Sequence, residues 1–414
     1  MVLGVVCALC GWSAGAQGEG FMKRDGTKLT LDGKEVREIS FNKFDLFGQF
    51  VLAGRADSPA GSEKQARAAL AELGKRRFRT IRVNCSPFYP VWFNAVFFDA
   101  DPRARAAKRK RMFERFDAML DACDEHNIRV VASLMWNVHN FADLGPNSLA
   151  EGITDRSSPA RRKVEEYIRA VVTRYRDRRT IAMWELGNEW NLFADLQKRW
   201  GVIPGKAEGD RLRPGPVVRD RRNNFTSDEL AAACGDLARL IRSIDPNHLI
   251  TTGHSTPRPA AMHLLRAARQ NTRRPDWTKD SPTELAEHIR LTHPDPIDVI
   301  SIHYYDDGMT AAGGELGNAG NLRMFKRIAD EIGKPLLVGE IGLHAKVPRF
   351  WDKPEAISLL RKTLPVVVEL KIPLTLYWTY ADDRAMPGPK LYDMRPGKTD
   401  EALGLVEKAN QRTK

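Results

Sequence analysis

Short apolar stretches alternate along this chain with longer segments in which apolar residues recur every three to four positions. Short apolar runs are typical of strands covered on both faces, and the longer pattern is typical of amphipathic helices. Strands are predicted at residues 38–41, 80–84, 130–135, 181–185, 248–252, 298–303, 336–340 and 375–378. Helices are predicted at residues 62–75, 109–126, 158–175, 227–244, 322–332 and 354–370. The alternation indicates a parallel sheet whose strands are connected by helices.

The number of strands favours a closed barrel of the α/β class. Eight strands, with no glycine-rich dinucleotide fingerprint after the first, predict a (β/α)8 TIM barrel rather than an open doubly wound sheet. Ahead of the barrel, the turn dipeptides at residues 25–26 and 32–33 predict an N-terminal β-hairpin. Polar insertions at residues 190–224 and 269–296 follow strand ends. They are predicted to be long loops at the C-terminal face, where barrel enzymes build their sites.

The first residues have the pattern of a targeting segment. An apolar stretch is followed by the small residues of positions 13–16, although no Lys or Arg precedes Lys23. We therefore expect residues 1–16 to be a signal peptide and the protein to be exported, as a secreted or periplasmic protein. Residues 17–414 are then expected to form a single barrel domain with a C-terminal extension from about residue 381. Cys85, Cys123 and Cys234 are expected to be free thiols.

Charge and composition narrow the classes of partner. Lys and Arg number 65 against 53 Asp and Glu, which gives a net charge of +12. The densest basic run, residues 103–111, leads into a helical pattern, and no nucleic-acid-binding motif accompanies it, so nucleic acid is not an expected partner. No stretch of 18 apolar residues occurs, so no stable membrane insertion is expected. The sequence leaves the oligomeric state open.

Two carboxylic acids stand at strand ends that should face each other. Asn188 and Glu189 follow the fourth predicted strand, and Glu340 ends the seventh. In a closed barrel these strands lie across the mouth from one another. A facing pair of carboxyl groups suits cleavage of a glycosidic bond, with one group as acid and the other as nucleophile or base. The sequence contains no H-E-x-x-H, clustered Cys/His set, P-loop or G-x-S-x-G motif, so neither metal nor organic cofactor is expected.

Residues 21–380 resemble the clan A glycoside hydrolases, and most closely the cellulase-type family 5, which includes endoglucanases and mannanases. The resemblance rests on polar and aromatic positions that occur in the family's order at strand ends: Arg82, Asn188, Glu189, His303, Tyr305, Glu340 and Trp378. It implies that Glu189 is the general acid/base and Glu340 the nucleophile. The chain departs from the family after the third strand, where the frequent His is absent and His139 lies a few residues on.

The resemblance also implies substrate-binding positions. Asn188 matches the asparagine that binds the sugar 2-hydroxyl. Arg82 and Tyr305 are expected to act on Glu340, His303 to bond a substrate hydroxyl, and Trp378 to offer an apolar face to a sugar ring.

These features predict a retaining hydrolase that cleaves a β-linked glucan or mannan by double displacement. Two alternatives remain open from the sequence. One is a barrel that binds carbohydrate without cleaving it, and the other is a transglycosidase that uses the same residues. The identity of the sugar, the linkage and the choice between endo- and exo-action depend on the loops around the cleft.

Overall fold

A closed ring of parallel strands forms the centre of the molecule. The computed structural model describes residues 20–51, 61–87, 90–199, 201–203, 217–272, 274–305, 317–343, 349–383 and 391–413. Within these residues the ring consists of β1 (Glu38–Asn42), β2 (Thr80–Asn84), β3 (Arg129–Met135), β4 (Ile181–Gly187), β5 (Leu249–Thr251), β6 (Ile300–Tyr305), β7 (Leu336–Gly342) and β8 (Leu374–Tyr377). The predicted signal peptide, residues 1–16, lies outside the described residues and stays a prediction.

The hydrogen-bonded order of the strands is β5-β4-β3-β2-β1-β8-β7-β6. The ring closes between its two ends, because Thr251 forms a parallel bridge with Val299 and the Asp298 amide donates to the Ile250 carbonyl at 2.9 Å. The predicted (β/α)8 barrel is therefore confirmed. The predicted strands agree with the observed ones to within a few residues at each end, because runs buried on both faces leave a distinct apolar signal.

Helices connect the strands around the outside of the ring. They are α1 (Leu46–Val51), α2 (Glu63–Lys75), α3 (Pro90–Phe97), α4 (Pro102–Glu125), α5 (Asn140–Asp143), α6 (Leu149–Thr154), α7 (Pro159–Tyr175), α8 (Ser227–Ile244), α9 (Ala261–Arg269), α10 (Pro282–Thr292), α11 (Gly317–Ile332), α12 (Pro354–Glu369) and α13 (Asp400–Gln411). Capping boxes start α2 at Ser62 and α8 at Thr226. No described helix is long and apolar enough to cross a membrane.

The N-terminal segment closes the lower end of the barrel. It forms three antiparallel strands, Met22–Asp25, Lys28–Leu31 and Lys34–Val36, so the predicted hairpin is extended by one further strand. Met22 and Leu29 are buried in a cluster with inward-facing strand residues such as Met183 and Leu337. This apolar plug leaves the opposite, C-terminal end of the barrel as the end where polar side chains collect.

The two predicted long loops differ in their actual structure. The segment 269–296 was expected to be a loop, but it contains α10, which begins with Pro282 and a Ser281/Glu284 capping box. The loop prediction was wrong because its many polar residues belong to a helix with a solvent-facing side and good start signals. In the segment 190–224, the described residues form a 3-10 turn, Trp190–Phe193, and a small antiparallel ribbon of Gly201–Ile203 with Val217–Arg219.

The last helix is integrated with the barrel. Helix α13 packs against α12 and β1, and the Asn410 side chain accepts a hydrogen bond from the Ile39 amide at 3.0 Å. Cys85, Cys123 and Cys234 are buried free thiols, as predicted. The division into a domain 17–414 with an extension from residue 381 stays a prediction.

Candidate active site

The carboxyl ends of the parallel strands gather the residues predicted from the sequence around one cleft. β2 carries Arg82, β6 carries His303 and Tyr305, and β7 carries Glu340, while Asn188 and Glu189 directly follow β4 and Trp378 directly follows β8. Because parallel strands all end at the same side of a barrel, side chains that are distant in sequence meet there. The structure brings all seven positions to this end of the barrel.

Glu189 and Glu340 face each other closely. One carboxylate oxygen of each, together with a His303 ring nitrogen, lies within 4.8 Å of the others. The Glu189 side chain is 26% exposed and that of Glu340 is 6% exposed. In enzymes that cleave glycosides with retention the two carboxyl groups are roughly 5–5.5 Å apart, whereas inversion needs about 6.5–9.5 Å to admit a water molecule. The spacing observed here fits the retaining arrangement.

The turn after β4 fixes the direction of Glu189. Glu189 has left-handed backbone angles, φ 53° and ψ 30°, and its amide donates to the Gly253 carbonyl at 2.8 Å. Gly253 itself has φ +72°, and a Cβ there would lie 1.9 Å from the Gly187 carbonyl oxygen and 2.7 Å from Cδ of Glu185. Only glycine fits this position, and its close approach holds the β4 turn against the segment after β5.

The Arg82 guanidinium joins the polar groups below the cleft and donates hydrogen bonds from all three of its nitrogens. Nε donates to Glu185 at 2.9 Å, Nη2 forms an ion pair with Glu185 Oε1 at 2.8 Å, and Nη2 donates to Asn188 Oδ1 at 2.8 Å. Nη1 donates to Glu340 Oε1 at 2.7 Å and to Asn42 Oδ1 at 3.1 Å. Because Arg82 is fully buried, its contacts are with these side chains and not with a molecule in the cleft. The structure thus places Arg82 as a positioning residue that contacts Glu340, although it was grouped with the substrate-binding positions.

Burial controls the protonation of the facing carboxyl groups. It raises the pKa of Glu189 above its ordinary value, against the opposing effects of Arg82 and a hydrogen bond with Ser255. Burial also raises the pKa of Glu340, against the opposing effects of His303, Arg82 and the Tyr305 hydroxyl. Their proximity means that the two groups titrate as a coupled pair, so a single shared proton is favoured over a wide pH range.

His303 lies beneath the pair. Its Nδ1 is 3.1 Å from Glu189 Oε1 and 3.6 Å from Glu340 Oε1, and the ring is fully buried. Burial lowers the pKa of His303 to about 4, so the ring is neutral at neutral pH. The prediction that His303 bonds a substrate hydroxyl is not met by this geometry, because its polar contact is to the carboxyl groups. A neutral imidazole with its proton on Nδ1 donates to Glu189.

Tyr305 supports Glu340 from the other side, since its hydroxyl donates to Glu340 Oε2 at 2.6 Å. We predict that Tyr305→Phe lowers kcat by about 10–100-fold, because a hydrogen bond to a charged group is worth about 1.5–3 kcal/mol. Loss of this donor also raises the pKa of Glu340, so the acidic limb of the pH–rate profile moves to higher pH. Steady-state kinetics across pH measure both effects.

The matched control is Tyr377→Phe, because Tyr377 is a buried tyrosine whose hydroxyl faces Thr363. That control should leave the pH limbs unchanged. A Tyr305→Phe enzyme with wild-type kcat and an unmoved acidic limb would show that the hydroxyl has no effect on Glu340.

An aromatic wall borders the cleft. The half-buried Trp378 ring lies 6.1 Å from Trp136 and 5.6 Å from Phe44, measured between ring centroids. Trp136 is almost fully buried and stacks on the Arg82 guanidinium at 4.5 Å. The partly open face of Trp378 is therefore supported from behind, as a platform for a sugar ring requires.

Two groups of side chains have the donor atoms and spacing for a cation. The first is Glu189, His303 and Glu340, where the Arg82 guanidinium already supplies a positive charge at 2.7 Å from Glu340. The second is the set of His263, Asp280 and Glu284. Its oxygens are used at the starts of helices, because Asp280 accepts from the Met262 amide and Glu284 from the Ser281 amide. The expectation that no metal or cofactor is needed stays a prediction.

Sequence reasoning missed Glu185, Asn42 and Phe44 as parts of this site. Glu185 is a charged residue inside an otherwise apolar strand, and Asn42 is a buried polar residue at the end of β1, and these positions were the available signal. His139, considered as a replacement for the family's frequent His, has its ring 5.0 Å from Phe193. It therefore lies beside the turn that follows Glu189.

A comparison with protein families decides the classification. The sequence profile described as Cellulase (glycosyl hydrolase family 5) matches residues 31–378. The chain belongs to glycosyl hydrolase family 5. This confirms the predicted family and the prediction of a glycoside hydrolase that cleaves β-linked substrates with retention. The alternative of a barrel that only binds carbohydrate is not retained.

Curated relatives of this family 5 hydrolase include fungal and plant proteins. The chain is 24% identical to mannan endo-1,4-β-mannosidase F of Aspergillus clavatus over 347 residues, which are 80% of this chain and 67% of the relative. It is 23% identical to mannan endo-1,4-β-mannosidase 2 of Arabidopsis thaliana over 356 residues, which are 78% of this chain and 69% of the relative. The chain thus spans about two thirds of the length of these relatives.

Solved structures share the fold of this family 5 hydrolase. The endo-1,4-β-mannanase from Rhizomucor miehei superposes with a TM-score of 0.62 at 15% identity, over 95% of this chain and 99% of that chain. The exo-β-1,4-mannosidase from Opitutaceae bacterium strain TAV5 gives a TM-score of 0.56 at 16% identity, over 92% of this chain and 61% of that chain. These similarities support the barrel architecture.

Proposed function

We propose that this family 5 hydrolase cleaves β-1,4-linked mannan, with Glu189 as general acid/base and Glu340 as nucleophile. The observation that carries the proposed cleavage is the approach of the two carboxyl groups to within 4.8 Å in a cleft at the C-terminal end of the barrel. Mannan is the substrate named for the curated relatives from both fungi and a plant. The sequence predicted either a glucan or a mannan as the substrate, and the names of these relatives favour mannan.

The geometry supports a double displacement. In the first step the protonated Glu189 gives its proton to the glycosidic oxygen while a Glu340 oxygen bonds to the anomeric carbon and the leaving sugar departs. In the second step Glu189 takes a proton from water, and that water displaces Glu340 from the anomeric carbon. The first step begins with one proton on Glu189, and the second begins with Glu189 ionised and returns a proton from water to it.

The groups around the two carboxyl groups favour a proton on Glu189 and an ionised Glu340. Glu340 receives hydrogen bonds from Arg82 and Tyr305, which stabilise its anion. Glu189 is held by the neutral His303, and burial raises its pKa, which favours its protonated form. The difference between these two environments supports the proposed roles of Glu189 as acid and Glu340 as nucleophile.

The pH dependence follows from this assignment. We predict a bell-shaped profile of kcat/KM, in which activity falls at low pH as the pair takes up a second proton and falls at high pH as Glu189 loses its proton. Because burial raises the pKa of Glu189, the basic limb lies above the ordinary pKa of a glutamic acid. Initial rates on a soluble substrate from pH 3 to 9 measure both limbs. Activity that rises steadily up to pH 9 would exclude Glu189 as the acid.

Asn188 and Trp378 are proposed to hold the sugar. The Asn188 amide oxygen accepts from Arg82, which turns its NH2 group toward donation to a sugar hydroxyl. We predict that Trp378→Ala lowers kcat/KM by about 10–100-fold, because it removes about 1.5–3 kcal/mol of ring burial. The control is Trp277→Ala, since Trp277 is 55% exposed, and that variant should keep wild-type kinetics. Unchanged kinetics in Trp378→Ala would remove this residue from the substrate site.

The substrate proposal is tested with soluble β-mannan, β-glucan and xylan, each followed by reducing-end assays and mass spectrometry of the products. We expect new reducing ends from mannan at rates at least about tenfold above those from the other polymers. Oligosaccharides of mixed length would indicate endo-action, and release of short units from one end would indicate exo-action. Products longer than the starting oligosaccharide would indicate transglycosylation. Preferential cleavage of glucan or xylan would contradict the mannan proposal.

Export is part of the same proposal. The apolar residues 1–16 and the small residues that end this segment support a signal peptide and a secreted or periplasmic enzyme. A polymeric substrate also favours an enzyme that acts outside the cell.

A further inference from the structure

Arg82 has a second carboxylate partner that does not line the cleft. Glu185 is on β4, four residues before Glu189, and is fully buried. Nε of Arg82 lies 2.9 Å from each Glu185 oxygen, and Nη2 lies 2.8 Å from one of them. Glu340 receives one Arg82 hydrogen bond, from Nη1 at 2.7 Å. The guanidinium is therefore bonded more extensively to the buried carboxylate than to the one in the cleft.

The ionisable groups around Arg82 and Glu185 include few charges. His303, from β6, acts on Glu340 and is itself influenced by Glu185, but its pKa of about 4 leaves it neutral. Burial raises the pKa of Cys85, so its thiol beside Glu185 is also neutral. Burial alone would lower the pKa of Arg82. The negative charges of Glu185 and, to a smaller extent, Glu340 raise it, and the net effect is a raised pKa. Among the described groups that act on Glu189 and Glu340, Arg82 is the cation, and Glu185 is the anion bound to its far side.

We propose that Glu185 is a positioning residue for hydrolysis, which neutralises part of the Arg82 charge and so limits how strongly that guanidinium acts on Glu340 and Glu189. The inference rests on the proposed roles of the two cleft carboxyl groups. Without an anion at residue 185, the full charge of Arg82 would act on the pair. The Glu340 anion would become more stable and less nucleophilic, and Glu189 would lose its proton more readily.

Glu185 also has a packing role, which the test must separate from its charge. Gly253 packs directly on Glu185, and the Gly253 carbonyl accepts from the Glu189 amide. A change of shape at residue 185 can therefore displace Glu189. Such a displacement lowers kcat without altering the charge that acts on the pair, so the position of the pH limbs distinguishes the two roles.

The experiment compares Glu185→Gln and Glu185→Asp with the wild-type full-length chain. The profile of kcat/KM against pH is measured on an aryl β-mannoside or on whichever β-glycoside the wild type cleaves. In Glu185→Gln both limbs should move to lower pH by about one unit, because a compensating charge is lost in a poorly solvated site. In Glu185→Asp the charge is kept but lies one methylene further from Arg82. Both limbs should therefore move the same way by a smaller amount, which also provides the test if Glu185→Gln does not fold.

The matched control is Glu38→Gln, the same substitution at a buried strand glutamate at the opposite end of the barrel. Glu38 accepts hydrogen bonds from the Arg79 and Thr80 amides, so this variant should lose thermal stability and keep both pH limbs. Limbs that stay in place in the folded Glu185 variants, or that move to higher pH, would overturn the inference. If the wild type itself shows no bell-shaped profile, the proposed roles of Glu189 and Glu340 fail instead.

Discussion

Replacing Glu340 by alanine is expected to lower kcat by about 10⁵-fold, equivalent to about 7 kcal/mol of lost transition-state stabilisation. The variant lacks the oxygen that bonds to the anomeric carbon, so the double displacement cannot begin. The fold should persist, because the substitution removes one carboxylate from a site whose other groups still bond to one another through Arg82. Steady-state kinetics on an aryl β-mannoside, with thermal melting as the check on folding, measure this effect.

Added azide distinguishes the two carboxyl groups. In Glu340→Ala, azide fills the vacated space and attacks the anomeric carbon directly, so the product is a glycosyl azide of inverted configuration. In Glu189→Ala, azide attacks the covalent intermediate, so the glycosyl azide keeps the configuration of the substrate. Nuclear magnetic resonance of the products separates these outcomes. Full activity in Glu340→Ala on every substrate that the wild type cleaves would show that the roles are wrongly assigned.

Removal of Arg82 is expected to have the largest effect on stability among the substitutions considered. Arg82→Met fills similar volume but leaves Glu185 and Glu340 in the barrel without their shared cation. Breaking a buried ion pair on one side typically costs about 3–5 kcal/mol, since the remaining charge is left poorly solvated. Urea unfolding at pH 7 should show a loss of this size, and the deficit should shrink as the pH is lowered and the carboxylates take up protons.

The control is Arg178→Met on the protein surface. Arg178 pairs with Asp121 and Asp124, whose side chains are more than half exposed and stay solvated without it, so its loss should cost no more than about 1 kcal/mol. Equal losses for the two variants, or an Arg82→Met deficit that does not depend on pH, would contradict the account of Arg82 as the shared buried cation.

The barrel could be predicted from the sequence because its strands are short, apolar and separated by helical patterns. The predicted bounds of strand β2, residues 80–84, match the observed strand Thr80–Asn84, which is buried at every position. Helix α10 was missed because a capped, half-solvated helix has the composition of a polar insertion. Its Ser281/Glu284 capping box was the local signal that could have revealed it.

The sequence predicted which residues form the candidate site, but not the role of each of them. Strand-end positions identify which side chains meet, because the topology of the barrel brings them together. The sequence does not show which of them reach the cleft surface. Arg82 and His303 are buried beneath Glu340 and Glu189, and the identity of the Arg82 partners depends on side-chain packing across three strands.

Trapping the reaction intermediate tests the central claim most directly. A 2-deoxy-2-fluoro β-mannosyl fluoride slows breakdown of the glycosyl-enzyme, so peptide mass spectrometry after proteolysis can locate the attached sugar. We predict one added sugar on the peptide that contains Glu340, and none in Glu340→Ala. Attachment to any other residue, or time-dependent inactivation with no covalent sugar on the protein, would contradict the claim that Glu340 bonds to the substrate.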